Sequence, residues 1–597
     1  MIFGKYINRY YLKYFYLIIL GISALIAVDI AQLKIPDYVG IIIDGLHKKT
    51  LTLSLLQELM INMLWIALIM FIGRFLWRIC IFGLGIRVET NLRKRMFKHS
   101  EQLSINYYYK HKIGAQMALY TNDLNTIRQT FALGTLMLVD AFFLGALAFY
   151  KMFKMSKLIT VVAIIPLLLI ALSSRFIGKY MREKFKARQK AFEELSEFTQ
   201  ENFSGLSVIK AFVKEGKELL AFRKINQNTQ EKNITYLRLS TLLSVTVTIF
   251  LNFILIIMIA IGSYFIIASR TNPDIIFSVG DLTKFVSFFG VLTWPMMAIA
   301  QLIDLRSQGK ASYQRIKVLF DEKIEIKDDK VLEGIDLCGK ITFNNLTFNY
   351  PDSDINVLKN INLTILPGES IGIIGRTGCG KTALVDILLR LYNLKPNQLL
   401  IDDIDIMHLP IKQIRDLIGY VPQDNFLFSD TIHHNIAFAY DELTIEDVMK
   451  YAKIADVHQN IIDFSHGYQT IIGERGVTLS GGQKQRISMA RALAKEPKIL
   501  ILDDSVSAVD SKTEETILQN LHDFRENRTI ILIAHRISSI KYMDKIVLMD
   551  DGEIVAYGTH DELITNVKLY QDMVQLQQLE DQVEVNGGSV NNELASR

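Results

Sequence analysis

The chain changes character near its middle. Through roughly the first 300 positions apolar residues run in long stretches, and six are long enough to cross a bilayer as helices: 15–37, 58–84, 133–153, 157–175, 241–268 and 275–303. A hydrocarbon core of ~30 Å takes about 20 helical residues. Long charged segments with helical periodicity separate the second stretch from the third and the fourth from the fifth. The first carries Arg87, Arg93, Lys94, Arg95 and Lys98, the second Arg175, Lys179, Arg182, Lys184, Lys186 and Arg188. Basic charge beside span ends is retained on the cytoplasmic side, so the pattern predicts both termini in the cytoplasm, with helical levers reaching out of the bilayer. Lys151, Lys154 and Lys157 go against this: they fall at a short turn that the same topology puts outside. The start, MIFGKYINRYYLKYF, also carries positive charge before an apolar run, but that run outlasts a signal peptide's core and no small-residue cleavage site follows.

From about residue 304 the apolar runs shorten and charges rise. The segment DEKIEIKDDK (321–330) reads as part of a linker over 311–338, and strand-like and helix-like stretches then alternate as in a soluble α/β domain over 339–577. Residues 578–597 are polar and read as a disordered tail. The expected fold is an all-α six-helix transmembrane domain, 1–310, with long cytoplasmic helical extensions, joined to a soluble α/β domain.

Composition narrows the partners. Lysine and arginine number 66 against 62 acidic residues, a net charge of +4, which gives nucleic acid no large field to follow. Cys80, Cys338 and Cys379 have no paired spacing and no histidine cluster nearby, so neither a disulfide framework nor a zinc site is indicated. Asp29, Arg74, Arg78 and Asp140 fall inside the apolar stretches, where ionisable groups need protein or water around them. They serve either a substrate pathway or pairing between helices.

The strongest chemical signal is GRTGCGKT. The apolar run Ile371–Ile374 reads as a buried strand, Gly375, Arg376, Thr377, Gly378, Cys379, Gly380, Lys381 and Thr382 fit G-x-x-x-x-G-K-[ST], and an apolar-periodic helix follows. Glycines let backbone N–H groups turn inward around phosphate oxygens at a helix N-terminus. Lys381 then supplies a charge to the β/γ-phosphates and the Thr382 hydroxyl is placed for Mg²⁺. A second run, KILILDD (498–504), is a strand ending in two carboxylates, which suits Asp503 as a magnesium partner and Asp504 as the group that polarises the attacking water.

About 20 residues before that strand stands Leu479, Ser480, Gly481, Gly482 and Gln483, which resembles the signature of ATP-binding-cassette proteins; with six spans ahead of it, the chain up to about residue 577 resembles the exporter half-transporters of that superfamily. The resemblance implies further roles. Tyr350 is similar to the aromatic that stacks on adenine, Gln423 in YVPQDNFLF to the glutamine that senses the γ-phosphate and Mg²⁺, and His535 in IAHR to the switch histidine on the γ-phosphate. Gly473 to Gly476 resembles the exporter segment that touches the membrane-domain couplers, and Ser507 to Asp510 the loop linking two nucleotide sites. In this family two nucleotide-binding domains close head to tail, so each ATP lies between one chain's phosphate loop and the other's signature, and a second half-transporter chain is implied.

Asp504 departs from the family, which has glutamate there. One methylene shorter, its carboxylate falls about 1 Å short of the water, a displacement that costs on the order of 10²-fold in rate. The signature, which serves the other chain's site, is intact. Together these predict slow hydrolysis at this chain's own site and a heterodimer rather than a homodimer. Cys379 stands where serine is common, and its thiol is expected to be alkylated with loss of ATP binding. The expected activity is ATP-driven multidrug-type export of hydrophobic small molecules across a bacterial cell membrane, among its lipids, by alternating access. The alternatives are a lipid flippase and an ATP-gated channel or regulatory ATPase.

Overall fold

The computed structural model describes residues 4–270, 277–329, 331–473, 479–507 and 509–579; within helices the side chains of 164, 166–176, 178, 179 and 300 are not described. The chain forms two compact units, one of residues 1–97 and 114–321, the other of 98–113 and 322–597.

The first unit is helical. Among the described residues, five helical stretches are long and apolar enough to cross a membrane: Phe15–His47, Leu53–Ser100, Ile113–Met155, Glu215–Ala268 and Val279–Asp321. The fourth stretch expected from sequence, 157–175, opens the helix Lys157–Ser204, most of it among the side chains not described. The charged segments do not break the helices. Leu53–Ser100 runs 48 residues and Glu215–Ala268 runs 54, about 80 Å at 1.5 Å per residue, far beyond a bilayer core. Leu64, Trp65, Phe71 and Phe75 on the first, and Ile249, Ile256 and Tyr264 on the second, are exposed, an apolar surface that water does not tolerate and lipid does. The last helix continues to Asp321, well into the segment that composition marks as linker.

The ionisable residues separate into two kinds. Asp29 and Asp140 are buried, Asp140 in a π-helical turn, Asp140–Leu144, where its Oδ2 accepts from Trp294 Nε1 at 2.7 Å. Arg74 and Arg78 are exposed, and among the described residues neither pairs with either aspartate. The misfit of Lys151 also has a physical reason: its ammonium pairs with Asp37, donates to the Leu33 carbonyl at 3.0 Å and lies 5.0 Å over the Phe288 ring, so it is neutralised locally.

The second unit holds two sheets. Strands β1 (Ile341–Phe348), β2 (Leu358–Ile365), β4 (Leu399–Ile401) and β5 (Ile404–Asp405) form an antiparallel sheet in the order β2-β1-β4-β5. Strands β3 (Ser370–Gly375), β6 (Ile418–Val421), β7 (Ile499–Asp503), β8 (Thr529–Ile533), β9 (Lys545–Asp550) and β10 (Glu553–Gly558) form the other, β10-β9-β3-β8-β7-β6, parallel except at the β10 edge. β3, β7 and β8 are buried at every residue, the continuous apolar pattern of a parallel sheet covered on both faces. The short helix Ile105–Lys110 belongs to this unit: Ile105 packs on its core, Ser104 donates to Glu325 at 2.8 Å, and Lys110 pairs with Asp352 at 2.6 Å.

Candidate nucleotide site

Parallel strands end on one edge, and the register sets which residues share it. Ile373 of β3 pairs with Ile533 of β8, Ile533 with Asp503 of β7, and Leu502 of β7 with Val421 of β6. The residues that follow these ends, 376–382, 504, 535 and 423, therefore leave the sheet side by side, at the edge where α/β folds bind ligands.

After β3 the chain turns through Gly378 (φ +87°) and Gly380 (φ +99°) into the helix Lys381–Leu388. A Cβ on Gly375 would lie 2.2 Å from the Met549 carbonyl, and one on Gly380 2.8 Å from the Val357 carbonyl, so both places require glycine. At Gly378 a Cβ would meet nothing within 4 Å, so there it is the positive φ and not crowding that favours glycine. Lys381 is buried, its ammonium donating to the carbonyls of Gly375 at 2.7 Å and Arg376 at 3.1 Å. The loop is thus held closed by the same charge that a phosphate would claim.

Cys379 requires a revision. Its thiol is 5% exposed and aimed beneath the loop, where it is the Sγ that a Cβ on Gly375 would meet at 2.7 Å. Burial pushes the thiol up, with the Lys381 ammonium partly opposing. Ready alkylation, expected from sequence, does not suit a buried, protonated sulfur.

Asp503 ends β7 fully buried. Burial holds its carboxyl above the usual range, against a hydrogen bond with Thr382 and the nearby Lys381 and His535 charges, and among the described residues its Oδ2 has no hydrogen-bond partner. An orphaned buried carboxylate oxygen beside a hydroxyl is a hard-oxygen pair that suits Mg²⁺. Asp504 follows in the left-handed region, φ +48°. Its N–H donates to Ile533 O at 2.9 Å, and its carbonyl accepts from Gln485 Nε2 at 2.8 Å and Ser507 Oγ at 3.0 Å. The backbone is pinned on both sides, so the reach of this carboxylate is set by its side chain and not by movement of the main chain. Gln423 and His535 are exposed after β6 and β8. Tyr350 is half-buried at the end of β1, its ring edge-on to Phe348 and Tyr392 and its hydroxyl 3.4 Å from Asp386.

Leu479 is anchored in the core while Ser480 and Gly481 are exposed. Ser480 caps the helix Gly481–Leu493: its hydroxyl accepts from Gln483 N at 3.3 Å and its N–H donates to Gln483 Oε1 at 3.1 Å. Gln483 is thus spent on the cap, and the N–H groups of Gly481 and Gly482 stand in the first turn of the helix, where no intrahelical acceptor reaches them. Of the two remaining segments, 474–478 and residue 508 lie outside the described residues; Asp510 caps the helix Ser511–Phe524 through Thr513 N at 3.0 Å. Sequence reading missed Gln485 and Asp386, whose roles come from neighbours 19 and 36 positions away.

Two family descriptions match the chain: ABC transporter transmembrane region over residues 18–296 and ABC transporter over 358–507. The multidrug resistance-like ATP-binding protein MdlA of Escherichia coli is 33% identical over 563 residues, 94% of each chain. The probable multidrug resistance ABC transporter ATP-binding/permease protein YheI of Bacillus subtilis is 33% identical over 577 residues, 96% of this chain and 97% of its own. The structure of a bacterial Atm1-family ABC exporter with ATP bound matches with a TM-score of 0.73 at 23% identity, over 96% of this chain and 98% of that one, and supports the fold.

Proposed function

Since the chain belongs to the ABC transporter family, with that family's transmembrane region and ATP-binding domain on one polypeptide, we propose that it is the degenerate-site half of a heterodimeric multidrug-type exporter. It is a multi-pass membrane protein that binds ATP and couples ATP hydrolysis to transport. Two relatives named for multidrug resistance support hydrophobic or amphiphilic substrates. The buried Asp29 and Asp140 favour cations among them. The basic span ends favour cytoplasmic termini.

At this chain's own site the loop 375–382 holds the phosphates, and Thr382, Gln423 and Asp503 are the residues that would hold Mg²⁺, which neutralises phosphate charge when bound. Tyr350 swings onto adenine, His535 meets the γ-phosphate, and Asp504 orients water from too far back. Ser480, Gly481 and Gly482 complete the ATP held by the partner chain, where hydrolysis is fast. A ligand shifts a two-state equilibrium only by its differential affinity for the two states, and ATP enclosed by both chains has that preference for the closed pair. Closure opens the membrane cavity outward; hydrolysis resets it.

The observation that carries this reading is Asp504 on a pinned backbone beside an intact signature. Single-turnover hydrolysis by the pair purified from native membranes tests it: the expected outcome is one fast and one slow site, and two equal sites, or fast turnover by this chain alone, would end it. In inside-out vesicles the pair is expected to concentrate a cationic dye on ATP addition. Movement of a labelled lipid instead makes it a flippase, and downhill flux alone a channel.

A further inference from the structure

Residues 568–579 form a helix at the end of the ATP-binding unit. Tyr570 anchors it, fully buried, with its hydroxyl 2.8 Å from His560 Nδ1, and Met573 and Val574 pack on the same core. Spacings of three, four and seven keep these residues and Gln577 on one face.

From that face Gln577 reaches the loop after β8. Its Nε2 donates to the His535 carbonyl at 2.6 Å, and its Oε1 accepts from Ile537 N at 2.6 Å. The amide has only one workable orientation, because a carbonyl needs a donor and an N–H needs an acceptor. The two bonds fix the peptide groups on either side of Arg536, and with them the direction in which the His535 Cα–Cβ bond leaves the chain. From the other side Glu514 accepts from the Ser539 hydroxyl and lies 3.8 Å from Arg536, tying the same loop to the helix Ser511–Phe524. The exposed imidazole itself is the part left free to meet a ligand.

We propose that Gln577 is a positioning residue: it aims His535 at the γ-phosphate and so sets how strongly this site prefers ATP over ADP. The proposal rests on the reading of His535 as the γ-phosphate sensor. ADP lacks the group that the imidazole meets, so its binding is expected to be indifferent to where the imidazole points.

The test uses the full chain in lipid nanodiscs, with ATP and ADP affinities measured in Mg²⁺. Gln577→Ala is expected to weaken ATP about fivefold to tenfold, the range of one ordinary hydrogen bond lost, and to leave ADP unchanged. Gln577→Glu should do the same, since a carboxylate cannot donate to the His535 carbonyl. Gln578→Ala, at the exposed neighbour, should match the wild type. In the double variant with His535→Ala, Gln577→Ala should add nothing, because residues that act through one group are not additive. If His535→Ala loses the ATP preference and Gln577→Ala keeps it, Gln577 does not position the histidine. Equal weakening of ATP and ADP would reduce the helix to a structural support and also overturn the proposal. If His535→Ala keeps the preference, the sensor reading fails first and the positioning role falls with it.

Discussion

Asp386 lies in the helix that follows the phosphate loop, under Tyr350 and near Asp503, and burial raises its pKa to about 6 although the Tyr350 hydrogen bond opposes this. A carboxyl whose folded pKa exceeds the unfolded value near 4 binds its proton more tightly when folded. Its charged form therefore costs stability above about pH 6, and that cost is relieved as pH falls toward 4. Asp386→Asn, which keeps an acceptor for Tyr350, is expected to raise the thermal midpoint of the ATP-binding unit by a few degrees at pH 7.5 and by much less near pH 4. A lower midpoint at pH 7.5 would show that the charge is used. Thiol chemistry gives a second residue-scale test: N-ethylmaleimide followed by peptide mapping should label exposed Cys338 well before Cys379, and ATP should not change the order. The residues of the phosphate loop, the acidic strand end and the signature were readable one by one because each motif is short. Asp386, Gln485 and Gln577 were not, since a lone Asp or Gln has no meaning until its distant neighbour is placed.

Between elements, close approaches decide what the helices do. Where Ile35–His47 meets Val279–Asp321, a Cβ on Gly280 would lie 2.3 Å from the Gly40 carbonyl and 2.5 Å from Asp44. Asp44 uses the space so gained, accepting from Ser278 Oγ at 2.6 Å and Gly280 N at 2.7 Å, and so caps one helix from another. Backbone cannot give way as a side chain can, so Gly280→Ala is expected to cost about 1–3 kcal/mol, as overpacking does. The thermal midpoint of the detergent-purified protein measures this, and Gly290→Ala, where a Cβ meets nothing within 4 Å, is the control. Hydrophobic run lengths revealed the spans but not how far the helices continue, because a charged amphipathic helix outside the bilayer loses the apolar signal while keeping its hydrogen bonds. Nor did run length foresee that Ile105–Lys110 belongs to the ATP-binding unit; its Lys110–Asp352 pair is a tertiary fact.

For the molecule as a whole, the proposed pairing with a second chain turns on Asp504. Asp504→Glu lengthens the carboxylate by one methylene on an unchanged backbone, and is expected to raise single-turnover hydrolysis at this chain's site by about 10²-fold. No rise would place the defect elsewhere and remove the physical ground for a heterodimer. By itself the sequence determined the two-part architecture, the membrane character and the ATP-binding character of the second part, because each is written in contiguous runs whose composition or spacing suffices. Only the tertiary structure decided that Cys379 is shielded, that Lys151 is neutralised, that Asp504 stands on a fixed backbone and that Gln577 grips the loop of His535. These depend on groups from 2 to more than 100 positions apart meeting within hydrogen-bond or van der Waals range, and such meetings are made by packing, which no local pattern records.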